Sequence, residues 1–167
     1  MNTIYTPRLR LRRVNLQDAA FILRLVNDPD WLSYIGDKNV KNIEDAENYI
    51  TNGPLAMYRH FGFGLMLVEL KHSAEPIGSC GLLQRDYLDC PDIGFAFMPA
   101  FRGQGYAYEA ARGVMQEAQS LGIASIAGLT ALNNEASMGL LQKLGMHFER
   151  IIHINGQDGG SNLFITP

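Results

Sequence analysis

The stretch Asp92-Ile93-Gly94-Phe95-Ala96-Phe97-Met98-Pro99-Ala100-Phe101-Arg102-Gly103-Gln104-Gly105-Tyr106-Ala107 decides the fold. Residues 92–98 form a nearly continuous apolar run, as expected of a central strand covered on both faces. Arg102-Gly103-Gln104-Gly105 reads as a glycine-rich turn. Ala107, Ala110, Ala111, Val114, Ala118 and Leu121 then recur at helical spacing, with Gly122 as a natural stop. Glycines let a backbone approach a ligand closely and turn N–H groups inward. The following helix adds unpaired N–H groups and its positive dipole end. Such a turn suits phosphate or pyrophosphate, although a tight strand-to-helix turn needs no ligand.

Around this unit the chain reads as one α+β domain over residues 1–167. A domain of this length buries roughly 70% of the surface its unfolded chain exposes, so no disulfide or metal staple is required. The formal charge is −3, from 14 Lys+Arg and 17 Asp+Glu, the opposite of a basic nucleic-acid binder. No apolar run of about 18 residues predicts a membrane span, and Met1 to Arg8 has no apolar core like that of a secretory signal. Cys80 and Cys90 form no CxxC pair, so neither a metal site nor a disulfide framework is expected. A reducing cytoplasm is the default.

Leu9, Leu11 and Val14 alternate with Arg8, Arg10 and Arg12, which predicts a strand with one basic face. That face is either solvated or attracts an acidic acceptor. Asn15 and Asp18 open a helix whose predicted inner stripe is Leu16, Ala19, Ala20, Leu23 and Val26. It stops near Asn27-Asp28-Pro29. Residues 31–41 read as loop, with Trp31, Tyr34 and Phe61 as pocket or core aromatics. Asn42 caps a helix over 43–51, and residues 54–59 add a helical piece. Residues 63–70 and 77–83 form a hairpin. Residues 123–132 read as a strand, and Asn133 or Asn134 opens a helix with Ala136, Leu140, Leu141 and Leu144 inward. Residues 147–154 and 162–165 close the chain as a hairpin turning at Asn155-Gly156.

A dinucleotide fingerprint fits poorly. Its third glycine falls on Tyr108, and no acidic residue lies between Glu117 and Glu135 to hold a ribose. The run Arg102-x-x-Gly105-x-Ala107 instead resembles the acyl-CoA pyrophosphate motif of the GNAT superfamily. Asn133-Asn134-Glu135-Ala136-Ser137, followed by Lys143-Leu144-Gly145-Met146, resembles that superfamily's next conserved segment. Thr6-Pro7-Arg8-Leu9-Arg10-Leu11-Arg12, with Asn27-Asp28-Pro29, is similar to the opening of its RimJ/RimL branch.

The resemblance implies a mixed, mostly antiparallel sheet of about seven strands, flanked by helices and split between the fourth and fifth strands, here residues 92–98 and 123–131. It implies acetyl-CoA as acyl donor and no metal. Backbone groups of Phe97 and Met98 would pair with pantetheine as a strand does. Arg102, Gly103, Gln104, Gly105, Tyr106 and Ala107 would hold the pyrophosphate, and Asn134 the pantetheine arm. The acceptor would be a primary amine, a protein or peptide N-terminus or a small amine, in a monomer or homodimer without nucleic acid or membrane.

Such chemistry needs a general base, an oxyanion donor near Phe97 or Met98, and an acid for the departing thiolate. In the RimJ/RimL branch the serine at this place sits near the thiol, so Ser137 is carried over as proton donor to the thiolate or its orienter; the tyrosine acid found in many members is replaced here by Leu141. Asp92 is the candidate base, where relatives often carry glutamate, and His153 is the alternative. The segment 152–156 lacks the glutamate of ribosomal-protein members, which argues against a ribosomal-protein acceptor. A non-catalytic acyl-CoA binding module of the same fold is the competing reading.

Overall fold

The computed structural model describes residues 1–156 and 159–167. Eight strands form one open sheet in the order β1-β2-β3-β4-β5-β6-β8-β7. They are β1 (Ile4–Tyr5), β2 (Leu9–Arg13), β3 (Leu65–Leu70), β4 (Pro76–Leu83), β5 (Asp92–Phe97), β6 (Ala127–Ala131), β7 (His147–Ile152) and β8 (Ser161–Ile165). The sheet is antiparallel except where β5 meets β6. The two-residue β1 makes eight strands where about seven were expected, so the split lies between the fifth and sixth. The strand expected from residue 123 begins only at Ala127. In the closing hairpin β7 ends at Ile152, Asn155 and Gly156 lie in a turn, and β8 starts at Ser161.

Helices α1 (Ala19–Val26), α2 (Pro29–Tyr34), α3 (Ile43–Asn52) and α4 (Pro54–Phe61) precede β3; α5 (Tyr106–Ser120) and α6 (Glu135–Lys143) follow β5 and β6. Two apolar clusters sandwich the sheet. Leu9, Leu11, Met66, Val68 and Phe97 pack with α5 on one face, while Val14 and Leu67 pack with α1, α2 and α3 on the other. Alternate residues of β3 thus enter opposite clusters, which explains the apolar run over 65–68. Among the described residues no helix is long and apolar enough to cross a membrane.

Two expectations near the site need correction. Residues 29–34 are a helix and not a loop, because Pro29 occupies the first helical position and the Asp28 carboxylate accepts from the Asp30 N–H at 3.2 Å. The proline that stops α1 therefore starts α2. In α1 the buried stripe is Ala19, Phe21, Ile22, Leu25 and Val26, with Leu16 and Ala20 exposed. The Asn15–Asp18 capping box opens a 3-10 turn over Leu16–Asp18, and its tighter winding rotates the phase of the helix that follows.

Gly81 lets β3 and β4 cross closely: a Cβ there would lie 2.2 Å from the Gly64 carbonyl oxygen. Gly81→Ala is expected to destabilise the fold by about 2–3 kcal/mol through overpacking, read as a lower denaturation midpoint with an unchanged urea slope.

Candidate active site

β5 and β6 pair at only two positions, Asp92↔Ala127 and Ile93↔Gly128, and then diverge. The apex is wedged by α6: Leu141 is buried and packs on Gly128, where any Cβ would lie 2.7 Å from Leu141 Cδ1. Beyond the apex lies a cavity of about 790 Å³, lined by β5, the glycine turn, the first turns of α5 and α6, and α2.

One backbone group of β5 is clearly offered to it. The Met98 N–H donates to the Ile77 carbonyl at 2.9 Å, so Phe97, opposite Gly78, is a non-hydrogen-bonded position. The Phe97 N–H therefore faces away from β4, toward the gap. Its carbonyl accepts from Arg102 Nε at 3.0 Å. Met98 does not fill the role expected of it: its carbonyl accepts from the Phe101 N–H at 3.0 Å, so both its backbone groups are used within the protein, and it does not line the cavity.

The glycine turn forms the outer end. Gly103 (φ +72°) and Gly105 (φ +83°) are both left-handed, a conformation that glycine adopts without steric penalty. No side chain caps α5, so the amides of Tyr106, Ala107 and Tyr108 lack intrahelical partners. Gln104, expected to offer its N–H, engages its other groups within the protein. Its side chain donates to the Ala100 carbonyl at 2.9 Å and its own carbonyl accepts from Arg8 Nη1 at 3.0 Å, so it braces the turn from behind. Arg8 also lies 4.2 Å over the Tyr106 ring and pairs with Glu109 at 2.6 Å. Burial pushes the Glu109 carboxyl up, but bonds from the Thr6 hydroxyl and from Arg8 outweigh it and hold the group below its usual range.

Arg102 is a clamp within the protein. Its guanidinium binds Asp28 at 2.6 Å and Asp30 at 2.5 Å, besides the Phe97 carbonyl. It ties α2 to the phosphate turn instead of pointing a free charge at a ligand. Asn134 caps α6, its side-chain oxygen accepting from the Ser137 N–H at 3.2 Å, which leaves its NH₂ group as the donor. Asn134 and Ser137 share the cavity wall with Asp92.

Asp92 stands at the apex, five residues and about 17 Å of extended strand from Phe97. It is buried and accepts from Arg85 Nε at 2.8 Å. Burial raises its pKa above the ordinary carboxylate range, with Arg85 opposing. His153 packs against Gly160 and is not on the cavity wall; Phe61 stacks on Phe63 at 5.8 Å; Trp31 and Tyr34 do line the cavity. Lys38, Tyr49 and Arg85 were missed in the sequence. The only signal was the 83–92 connection, whose register sets Leu83 opposite Asp92 and so returns Arg85 to that carboxylate.

Arg102→Ala leaves the buried Asp28 carboxylate unpaired. A loss of about 2 kcal/mol is expected, toned down from the fully buried case because Arg102 is partly exposed. Arg102→Lys, a point charge without the planar fork, recovers less than half of it in chemical denaturation.

Residues 8–147 match the family model described as Acetyltransferase (GNAT) domain. YkkB of Bacillus subtilis (strain 168) is 30% identical over 154 residues, covering 89% of this chain and 87% of its own. Among solved structures, an acetyltransferase from Agrobacterium tumefaciens str. C58 superposes with a TM-score of 0.85 at 19% identity, over 100% of this chain and 95% of its own. RimL, a ribosomal L7/L12 alpha-N-protein acetyltransferase in complex with coenzyme A, gives 0.77 at 16%, over 98% and 97%. With the parted strands and the amide-lined turn in place, the chain belongs to the GNAT acetyltransferase family and is an acetyl-CoA-dependent acetyltransferase, with neighbours of the RimJ/RimL kind.

Proposed function

We propose that this protein moves an acetyl group from acetyl-CoA directly to a primary amine, a peptide or protein N-terminus or a small amine, with both bound at once. The observation that carries this reading is one cavity with an anion cradle at its outer end and a buried carboxylate at its apex. Acetyl-CoA supplies the activated thioester. The chain's residues fit it: the glycine turn and the start of α5 offer amides to the diphosphate, and the Phe97 N–H and the Asn134 NH₂ group receive the pantetheine arm. Of the expected set, Gly103, Gln104, Gly105, Tyr106 and Ala107 keep that role through their N–H groups, Arg102 holds the turn's shape, and Met98 drops out.

Asp92 takes the proton of the attacking amine, relayed by water along the gap from the apex, and burial makes it a stronger base than an exposed carboxylate. The N–C bond forms as the C–S bond breaks. The Ser137 hydroxyl donates to the departing sulfur. No covalent enzyme intermediate is needed, because holding the two reactants together supplies much of the rate.

Gly105→Val is the direct test of the cradle. A β-branched residue is strained at a left-handed position by about 1–3 kcal/mol, so the turn rearranges; calorimetry is expected to show at least about tenfold weaker binding of acetyl-CoA. Unchanged affinity in a folded variant overturns the assignment. For the base, protonation on the acid side should stop turnover, with the acid limb of kcat/KM lying above the ordinary carboxylate range because the Asp92 pKa is raised. Asp92→Asn should lower kcat about 10²-fold or more and abolish that limb, while acetyl-CoA affinity holds.

A further inference from the structure

The apex end of the cavity holds more hydrogen-bond donors and positive charge than the protein itself satisfies. Lys38, from the loop between α2 and α3, and Arg85, from the β4–β5 connection, both line it. Among the described residues no acid lies within ion-pair distance of Lys38, and the acids around it are already engaged. Asp37 pairs with Lys41 at 3.2 Å, the Asp45 carboxylate accepts from the Lys41 N–H, and Asp92 is bound to Arg85. Arg85 spends its Nε on Asp92 and Nη1 on the Tyr87 hydroxyl at 3.3 Å. The guanidinium carries five donors, so several stay open. Trp31, on the same cavity wall, has a buried indole N–H with no partner, and a buried donor left unmatched costs free energy until an acceptor arrives.

Elsewhere on the wall the acids are also taken or distant. Asp28 and Asp30 are held by Arg102, and Glu135 sits in the first turn of α6, on a different element from Lys38 and Arg85. Burial and the neighbouring Arg85 both lower the Lys38 pKa, as expected where two cations lie side by side. An occupant of this end must bring acceptor atoms and negative charge.

We propose that the acceptor amine carries an anionic group, a carboxylate or a phosphate, which seats against Lys38 and Arg85 while its amino group faces Asp92. This rests on the amine-transfer reading above and narrows it. A diamine would place its second ammonium against Lys38 and Arg85 and is rejected. A neutral amine leaves the open donors of Lys38, Arg85 and Trp31 unmatched.

The test is amine-dependent release of CoA thiol with matched acceptors: O-phosphoethanolamine against ethanolamine, β-alanine against β-alaninamide, the C-terminally amidated peptide Asp-Ala-Ala against amidated Asn-Ala-Ala, and putrescine. The expected result is a kcat/KM at least about tenfold higher for one or more anionic members than for the neutral partner, as for a site whose polar groups an analogue leaves unpaired. The phosphate and carboxylate pairs identify which anion is preferred. Lys38→Glu should collapse that ratio to about one or below, chiefly through KM, and Lys38→Gln should lower it partway. Neutral amines or putrescine turned over as well as the anionic partners, or a ratio unmoved by Lys38→Glu, overturns the inference and leaves amine transfer standing. No amine-dependent release from any acceptor overturns amine transfer itself, and this inference with it.

Discussion

Beyond Ile93 the backbone of β5 has no strand beside it on one side, and a strand edge enclosed by protein demands partners for its N–H and C=O groups. The fold answers this in two ways. Part of the edge is satisfied internally, the Phe97 carbonyl by Arg102. The rest is left for something that enters the gap. The gap stays open because the elements on either side are fixed elsewhere: Leu141 and Phe164 lie in the same buried cluster as the β2, β3 and α5 side chains, while α1 to α3 close the opposite face. The vacancy in the ladder is thus a property of the whole sandwich.

Charge follows the same division of labour. The basic face of β2, which on paper suited either solvent or an acidic acceptor, is spent on structure. Arg10 and Arg12 converge on the buried Glu69, and Arg12 also holds Asp18 at 2.8 Å. Arg8 and Arg102 are likewise consumed, one behind the phosphate turn and one between that turn and α2. Lys38, and Arg85 with its open donors, lie at the other end of β5.

How much of this was legible follows from what kind of signal each feature leaves. The strand–turn–helix unit was readable because glycine pairs and helical periodicity are local. The caps at Asn15, Asn42 and Asn134 were readable for the same reason. The phase of α1 was not, since a 3-10 turn differs from an α turn by a rotation that apolar spacing alone does not reveal. Nor were the side-chain roles of Arg102 and Gln104. A motif names the residues around a ligand without saying which touch it and which hold the frame, and here Asp28 and Asp30, over seventy positions away, decide that question. Lys38, Arg85 and Trp31 come to one cavity wall only through tertiary placement, so nothing in their local spacing announces them.

The guanidinium shared by α2 and the phosphate loop has an engineering consequence. Two stretches of chain far apart in sequence are fastened by a single side chain, so they are one module for the purposes of recombination. A chimera that imports the 28–41 segment of a relative to change acceptor choice, without matching the residue at 102, strands a buried acid and loosens the donor pocket it never meant to touch. Exchanges that carry Asp28, Asp30 and Arg102 together preserve the joint and leave the rest of that segment free to vary.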